Sequence, residues 1–324
     1  MADPGRHVPG MPTRRSVVAF HIMPPHDTEL ESIAARPSSR SLRRLLDSAW
    51  RGERTLVMGV LNVTPDSFSD GGRFLDLSVA ADHAERMAAE GADIVDVGGE
   101  STRPATFASG KPLPEEEEMA RVLPVITAIA ARLPELPISI DTYKASVAAN
   151  AIAAGAAMIN DVSALRADPE MSALAARSGA PVCLMHMPGL PAALPAAPAY
   201  SDVVRDVCDF LARLCAEAEA AGIARASIVI DPGIGFGKSA QQNLELLRRL
   251  REISEVGYPV LVGVSRKSFI GAVLGGLPPG ERLEGTAAAV AIAIANGASV
   301  VRVHDVGEMA RVARVADAIV RAAP

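Results

Sequence analysis

Residues 228–238 read Ile228-Val229-Ile230-Asp231-Pro232-Gly233-Ile234-Gly235-Phe236-Gly237-Lys238, and the chain then runs through Gln241 to Ile253 to reach Gly257. An uninterrupted apolar run, with no polar alternation, is what a strand covered on both faces needs. The three-and-four apolar spacing that follows predicts a helix, and Gly257 supplies its stop before the next apolar run. This is one strand-loop-helix unit whose unusual chemistry is confined to the loop.

The unit recurs along the chain. Strand signals stand at Leu56 to Leu61, Ile94 to Val97, Ile138 to Ile140, Ala157 to Ile159, Pro181 to Met185, Ile228 to Ile230, Val260 to Val262 and Val300 to Val303. Helical spacing returns at Val79 to Glu90, Glu115 to Arg132 and Val203 to Ala221, while Gly91, Gly155, Gly179, Gly222, Gly257 and Gly297 each separate a helix from a strand. Eight such pairs between about residues 55 and 322 predict an α/β protein with a (β/α)8 TIM barrel, because crossovers are right-handed and nothing breaks the alternation. An open doubly wound sheet is the competing architecture. Residues 51–324 are assigned to the barrel. Residues 1–50 form an N-terminal extension, a partly ordered arm with one amphipathic helix, Ser39 to Trp50, expected to close the barrel bottom.

Composition narrows the function. Of 324 residues, 49% are apolar but only 3% aromatic, which supplies an aliphatic core and argues against disorder. Few aromatics and a net charge of −6 disfavour nucleic-acid partners. Cys183, Cys208 and Cys215 form no CxxC pair and an odd set, which fits a reduced, cytoplasmic compartment. The early apolar run Val17 to Phe20 is too short for a signal segment, and nothing later approaches a membrane span, so no membrane partner is expected.

In a barrel of this kind, function collects where strands end and the following loops begin. The first run leads into Asn62 to Gly72, the second into Gly98 to Pro104, and the third into Asp141 to Lys144. The fourth ends in Asn160-Asp161, the fifth in His186, the sixth in Asp231 to Lys238, the seventh in Ser265 to Ser268, and the eighth in Arg302-Val303-His304-Asp305. Singly, Asp141, Asn160 and Asp231 fit helix caps or turn formers, and Lys267, Arg302 and His304 fit solvated loops. Together they would leave uncompensated polar groups at the mouth unless they meet a ligand.

The loop at 231–238 is neither a Walker loop, since Pro232 stands where the first Gly is required, nor a dinucleotide fingerprint, since its glycines read GxGxG. Carboxylates and an amide suit a planar N–H edge, while Lys, Arg and His with Asn and Thr suit an anionic leaving group. The rim therefore reads as a site for a heterocycle carrying phosphates, with cations at one end and carboxylates at the other. His186, a lone histidine without an evident partner, is assigned a structural role. No metal-ligand spacing, GxSxG elbow or nucleophile and base pair is present, which favours leaving-group stabilisation over covalent catalysis.

Five ordered blocks carry a resemblance: Met58 to Phe68, Asp96 to Pro104, Asp231 to Lys238, Ser265 to Gly271 and Arg302 to Val306. Over about Met58 to Val306 the chain resembles the dihydropteroate synthase family of folate biosynthesis. The resemblance implies a TIM-barrel transferase, usually a homodimer and a sulfonamide target. Such enzymes join 6-hydroxymethyl-7,8-dihydropterin diphosphate to 4-aminobenzoate, releasing pyrophosphate. By matching position it assigns Asp141, Asn160, Asp231 and Lys267 to the pterin ring, and Asn62, Thr102, Arg302 and His304 to the diphosphate. Mg2+ is expected near Asn62 and Asp70, and Arg103, Pro104, Phe236, Lys267 and Ser268 would frame the aminobenzoate. Asp231, Lys267, Arg302 and His304 form the expected catalytic set. The Gly71-Gly72 segment and the second loop are expected to act as lids that exclude water.

The chain departs from the family pattern at Ala105, where Gly is common, in a longer Thr106 to Pro114 stretch, and in the Pro- and Ala-rich segment after Met187-Pro188-Gly189. Two other readings compete. A pterin-binding methyltransferase shares the pterin contacts but has no use for a diphosphate site, so Arg302, His304 and Ser265 to Ser268 count against it. A silent pterin-binding scaffold would not need the matched site residues.

Overall fold

The computed structural model describes residues 35–64, 77–100, 112–190 and 200–321. Its strands are β1 (Leu56–Asn62), β2 (Ile94–Gly98), β3 (Ile138–Asp141), β4 (Met158–Asp161), β5 (Val182–Met185), β6 (Ile228–Asp231), β7 (Leu261–Val262) and β8 (Val300–Val303). All are parallel and form one sheet in the order β6-β5-β4-β3-β2-β1-β8-β7. A parallel bridge between Ile230 and Val260, with the Ile230 amide donating to the Pro259 carbonyl at 2.9 Å, brings β6 against β7. The barrel is thus nearly closed, and the open doubly wound alternative is excluded.

Each strand places one set of side chains toward the surrounding helices and the alternate set inside, as the two-residue period requires. The outer layer of aliphatic residues includes Val57, Leu61, Val95, Val97, Ile138, Ile140, Ile228 and Ile230. A second cluster fills the lower interior: Leu56, Met58, Ile94, Met158, Cys183, Val229, Leu261 and Val300. The six glycines that separate helix from strand all have positive φ, the backbone state that lets a helix stop and turn.

Helix α1 (Pro37–Trp50) buries Leu42, Leu46 and Ala49 in that lower cluster and so seals the N-terminal end of the barrel. It starts two residues before the Ser39 expected from sequence, with proline in its first turn. Trp50 fixes its far end, its indole N–H donating to the Ala226 carbonyl at 3.3 Å and its ring lying beside Tyr258, with the Arg225 guanidinium near both rings. Leu42 is fully buried, and Leu42→Ala is expected to destabilise the fold by about 2–5 kcal/mol. Chemical denaturation would show this; an unchanged unfolding free energy would mean that α1 does not hold the barrel shut.

The helix expected over Gln241 to Ile253 is broken at Arg249, whose backbone leaves helical geometry, into Ala240–Arg248 and Leu250–Ser254. Its start is fixed by a capping box between Ser239 and Gln242.

Candidate functional site at the strand ends

Register brings the polar strand ends together. Asn62 pairs with Gly98, Gly98 with Asp141, and Asp141 with Asn160, so one row crosses four strands. One row lower, Val60 pairs with Asp96 and Asp96 with Ser139. Arg302 lies lower still, opposite Met58, and its long side chain climbs the interior.

The Arg302 guanidinium donates to Asp96 Oδ2 at 2.6 Å and to Asp141 Oδ2 at 2.9 Å. Asn160 donates to Asp96 Oδ2 at 3.1 Å. Burial lowers the Arg302 pKa, but Asp96 and Asp141 outweigh it and hold the group above its ordinary value. Asp141 is pushed up to about 7, chiefly by burial, with Arg302 opposing and Asp96 adding repulsion. The separation expected from sequence, cations at one end and carboxylates at the other, is therefore corrected. Arg302 sits between carboxylates because two buried acids side by side need a counterion.

On the opposite wall, Asp231 Oδ1 accepts from the Gly233 amide at 2.7 Å. Burial raises the Asp231 pKa, and Lys267, Lys238 and Arg302 pull it down. Lys267 donates to the Ile234 carbonyl and places its ammonium 4.7 Å from the centre of the Phe236 ring. Burial lowers Lys267 to about 8, with Asp231 as its main support. The preceding residue, Arg266, has a left-handed backbone (φ 59), held by Asp305 on its guanidinium and Thr286 Oγ1 on its amide at 3.1 Å. That strained turn aims Lys267 inward. Ser268 opens the short helix that follows and is exposed.

His304 completes the rim, its Nδ1 lying 3.0 Å from Ser265 Oγ. Burial, Arg302 and Arg266 push it down to about 4, so near neutral pH the ring carries no charge. Asn62 ends β1 on the inward parity shared with Met58 and Val60. Asp70, Thr102, Arg103, Pro104 and the Gly71-Gly72 segment lie outside the described residues, as do the atypical stretches at 105–111 and 191–199.

Three features of the site were not read from sequence. Asp96 was legible as the lone charge inside an apolar run on inward parity. Glu100, Lys144 and Glu118 form a buried ion cluster in which Lys144 donates to Glu100 at 2.7 Å and to Glu118 at 2.5 Å, while Glu100 also accepts from Leu113 N and Tyr143 OH. No spacing announces that cluster. His186 does have a partner, Lys238, whose Nζ lies 3.0 Å from Nδ1. A contact spanning so much chain leaves no local pattern. Val162, Met185 and Met187, with Tyr143 and Phe236 packed on them, add an apolar patch beside these charges. Among the described residues no cluster of His, Cys, Asp and Glu could hold a metal on its own.

The arrangement offers acids and an amide for an N–H edge, apolar surface for a flat ring, Lys267 and the neutral His304 at the rim, and Arg302 held between two of the acids. Comparison with known proteins agrees. The family pattern described as Pterin binding enzyme matches residues 58–304. A dihydropteroate synthase of Clostridium beijerinckii is 48% identical over 271 residues, covering 83% of this chain and 96% of the relative. The structure of Xanthomonas albilineans dihydropteroate synthase with 4-aminobenzoic acid superposes with a TM-score of 0.77 at 46% identity, over 84% of this chain and 95% of that one. A Yersinia pestis dihydropteroate synthase in a sulfonamide drug complex gives 0.75 at 43%, over 82% and 94%.

Proposed function

The chain belongs to the pterin binding enzyme family, and from that premise we infer that it is a dihydropteroate synthase, a transferase of folate biosynthesis. Its substrates are then 6-hydroxymethyl-7,8-dihydropterin diphosphate and 4-aminobenzoate, and its products 7,8-dihydropteroate and pyrophosphate. The observation that carries this is the single rim holding Asp141, Asn160 and Asp231 together with Lys267, Arg302 and His304.

In this reading Asp231, Asp141 and Asn160 accept from and donate to the pterin's polar edge, and Val162 and Met185 meet its face. The C–O bond to the diphosphate breaks with its electron pair leaving on oxygen. Asp231 and Asp141 stabilise the resulting pterin cation, the kind of developing charge that fixed dipoles and ions favour most. The aniline nitrogen of 4-aminobenzoate captures the cation at carbon and loses one proton. Arg302 and the neutral His304 face the departing diphosphate, one by charge and one by N–H donation. Lys267 and Phe236, with Ser268 and the undescribed Arg103, Pro104 and Thr102, would frame the second substrate and the leaving group.

Asn62 brings an amide oxygen to the barrel mouth, a hard donor of the kind Mg2+ takes. An ion that keeps waters and phosphate oxygens needs few protein ligands. Asn62, with Asp70, would hold it, and when bound it would neutralise charge on the diphosphate.

Incubating the purified protein with the pterin diphosphate, 4-aminobenzoate and Mg2+ should release pyrophosphate and form dihydropteroate. Methyl transfer without pyrophosphate would establish the methyltransferase instead. A sulfonamide should compete with 4-aminobenzoate, as the Yersinia complex leads one to expect. Cys183, Cys208 and Cys215 are free thiols, consistent with a reducing cytoplasm. Among the described residues no helix is long and apolar enough to cross a membrane.

The family's homodimer would use the outer faces of helices Leu283–Ala295 and Val306–Val320. Ile292, Val315 and Ile319 are 52%, 62% and 76% exposed there, while Met309 of the same last helix is buried on the barrel wall. Ile319→Asp is expected to shift the sedimentation coefficient from dimer to monomer; a wild-type chain that already sediments as a monomer removes this assignment.

A further inference from the structure

The ammonium of Lys238 is enclosed by the loop that it ends. It donates to the Gly233 carbonyl at 2.9 Å and the Phe236 carbonyl at 3.1 Å, and lies 3.0 Å from His186 Nδ1, with the His186 carbonyl more distant at 3.4 Å. An ammonium has three N–H donors and no acceptor, so these three nearest groups use it completely. A neutral amine would turn a lone pair toward one of them. Burial lowers Lys238 to about 7, with Asp231 as its main support; in its charged form it can only donate, so His186 Nδ1 accepts and the imidazole proton sits on Nε2. The ring is neutral, as burial and Lys238 push its pKa down to about 2.

The loop is wound tightly at this point. Gly233 has φ +67, and a Cβ there would lie 1.9 Å from the His186 carbonyl oxygen, so backbone meets backbone at the point where both carbonyls face the ammonium. Three carbonyl oxygens pointing at one another would repel without a positive charge among them. What the cage holds in place is used by the site. Gly233 gives its amide to Asp231, Ile234 gives its carbonyl to Lys267, and Phe236 lies beside the Lys267 ammonium. The hydrogen bonds of Lys238 run to the loop and to His186, while its charge also acts on Asp231 at the end of β6.

We propose that Lys238 is a positioning residue, a built-in cation around which the 231–237 backbone is wound so that Asp231, Lys267 and Phe236 meet the pterin and the second substrate correctly. The proposal rests on the function given above for those three residues. It assigns a role to the one charged residue of this block that the ligand-facing set leaves out, and to His186 as an acceptor in its cage.

Lys238→Ala removes the three side-chain methylenes and the nitrogen beyond them, which n-propylammonium replaces. Turnover of the pterin diphosphate and 4-aminobenzoate should fall about 10²-fold, the order expected of a misplacement near 1 Å. Adding n-propylammonium should recover about tenfold of that loss and raise the melting temperature of the variant but not of the wild type. Propanol, which has the shape without the charge, should do neither. Lys238→Met keeps length and volume and so folds if the alanine variant does not; it should lose turnover comparably. Turnover in Lys238→Met within about threefold of wild type overturns the proposal. So does a folded Lys238→Ala that the amine neither reactivates nor stabilises. A wild-type enzyme without pyrophosphate release would instead overturn the function given above, and the melting measurement would still decide the cage.

Discussion

Asp231→Ala and Lys267→Ala are each expected to reduce dihydropteroate formation by about 10²–10³-fold or more, while both variants remain folded. The reasoning differs for each. Asp231 is the acid on the wall opposite Asp141, and burial already works against its charge. Removing it strips the pterin edge of an acceptor at the moment positive charge develops on the ring. The Gly233 amide loses its partner as well, a cost of about 1–3 kcal/mol that the rest of the barrel absorbs. Lys267 also depends on Asp231, the main influence holding its pKa as high as about 8. Asp231→Asn should therefore move the alkaline limb of the rate profile to lower pH as Lys267 loses that support. Lys267→Ala leaves Asp231 without the cation that acts on it most strongly and Phe236 without the cation beside its ring. Steady-state rates with circular dichroism melts check both, and near-normal turnover in either would remove these residues from the reaction.

Arg302→Met should lose both activity and stability. Asp96 is completely buried and Asp141 nearly so, and the guanidinium is what each of them faces. Breaking a buried ion pair from one side costs about 3–5 kcal/mol, because the remaining charge stays out of water. Turnover should fall by about 10²–10³-fold as a cation facing the diphosphate disappears. The stability loss carries a pH signature. Asp141 titrates in the fold at about 7, above the unfolded value of 3.8, so between these the native state binds a proton that the unfolded chain does not. Its contribution therefore favours the fold at low pH and is lost as pH rises through the folded pKa. Without Arg302 that pKa rises further, and the variant's deficit in urea melts should be smaller near about pH 5 than near about pH 8. A deficit equal at both, or none at all, would show that Arg302 is not the counterion of this pair.

Much of the barrel was legible because its signal is local and repeated. The runs at Leu56, Ile94 and Ile228 declare doubly covered strands, and the glycines after the helices declare where each unit stops. The break at Arg249 was not legible, since the apolar spacing from Gln241 to Ile253 passes through it unchanged. The site was legible as a rim for the same reason that the fold was: each strand end carries its polar residue in sequence order. Which residues touch across the barrel was not. Arg302 meets Asp96 and Asp141 only because β8 lies lower than β3 in the sheet register, and a register is a property of the closed barrel. Lys144 with Glu118, and Lys238 with His186, are likewise pairs made by the fold, with no motif to announce them.

Helix α1 has a consequence for how the chain is made. It precedes every described strand, and the cluster that covers Leu42 and Leu46 begins with Leu56, Met58 and Ile94 but is completed only by Val229, Leu261 and Val300, far later in the chain. Its apolar face is therefore only partly covered until nearly the whole barrel has been synthesised. Contacts so distant in sequence are late and slow to form. The stopper is made before the barrel that it seals, and until the late strands join it, a nascent chain shows chaperones a sticky helix and an open barrel floor.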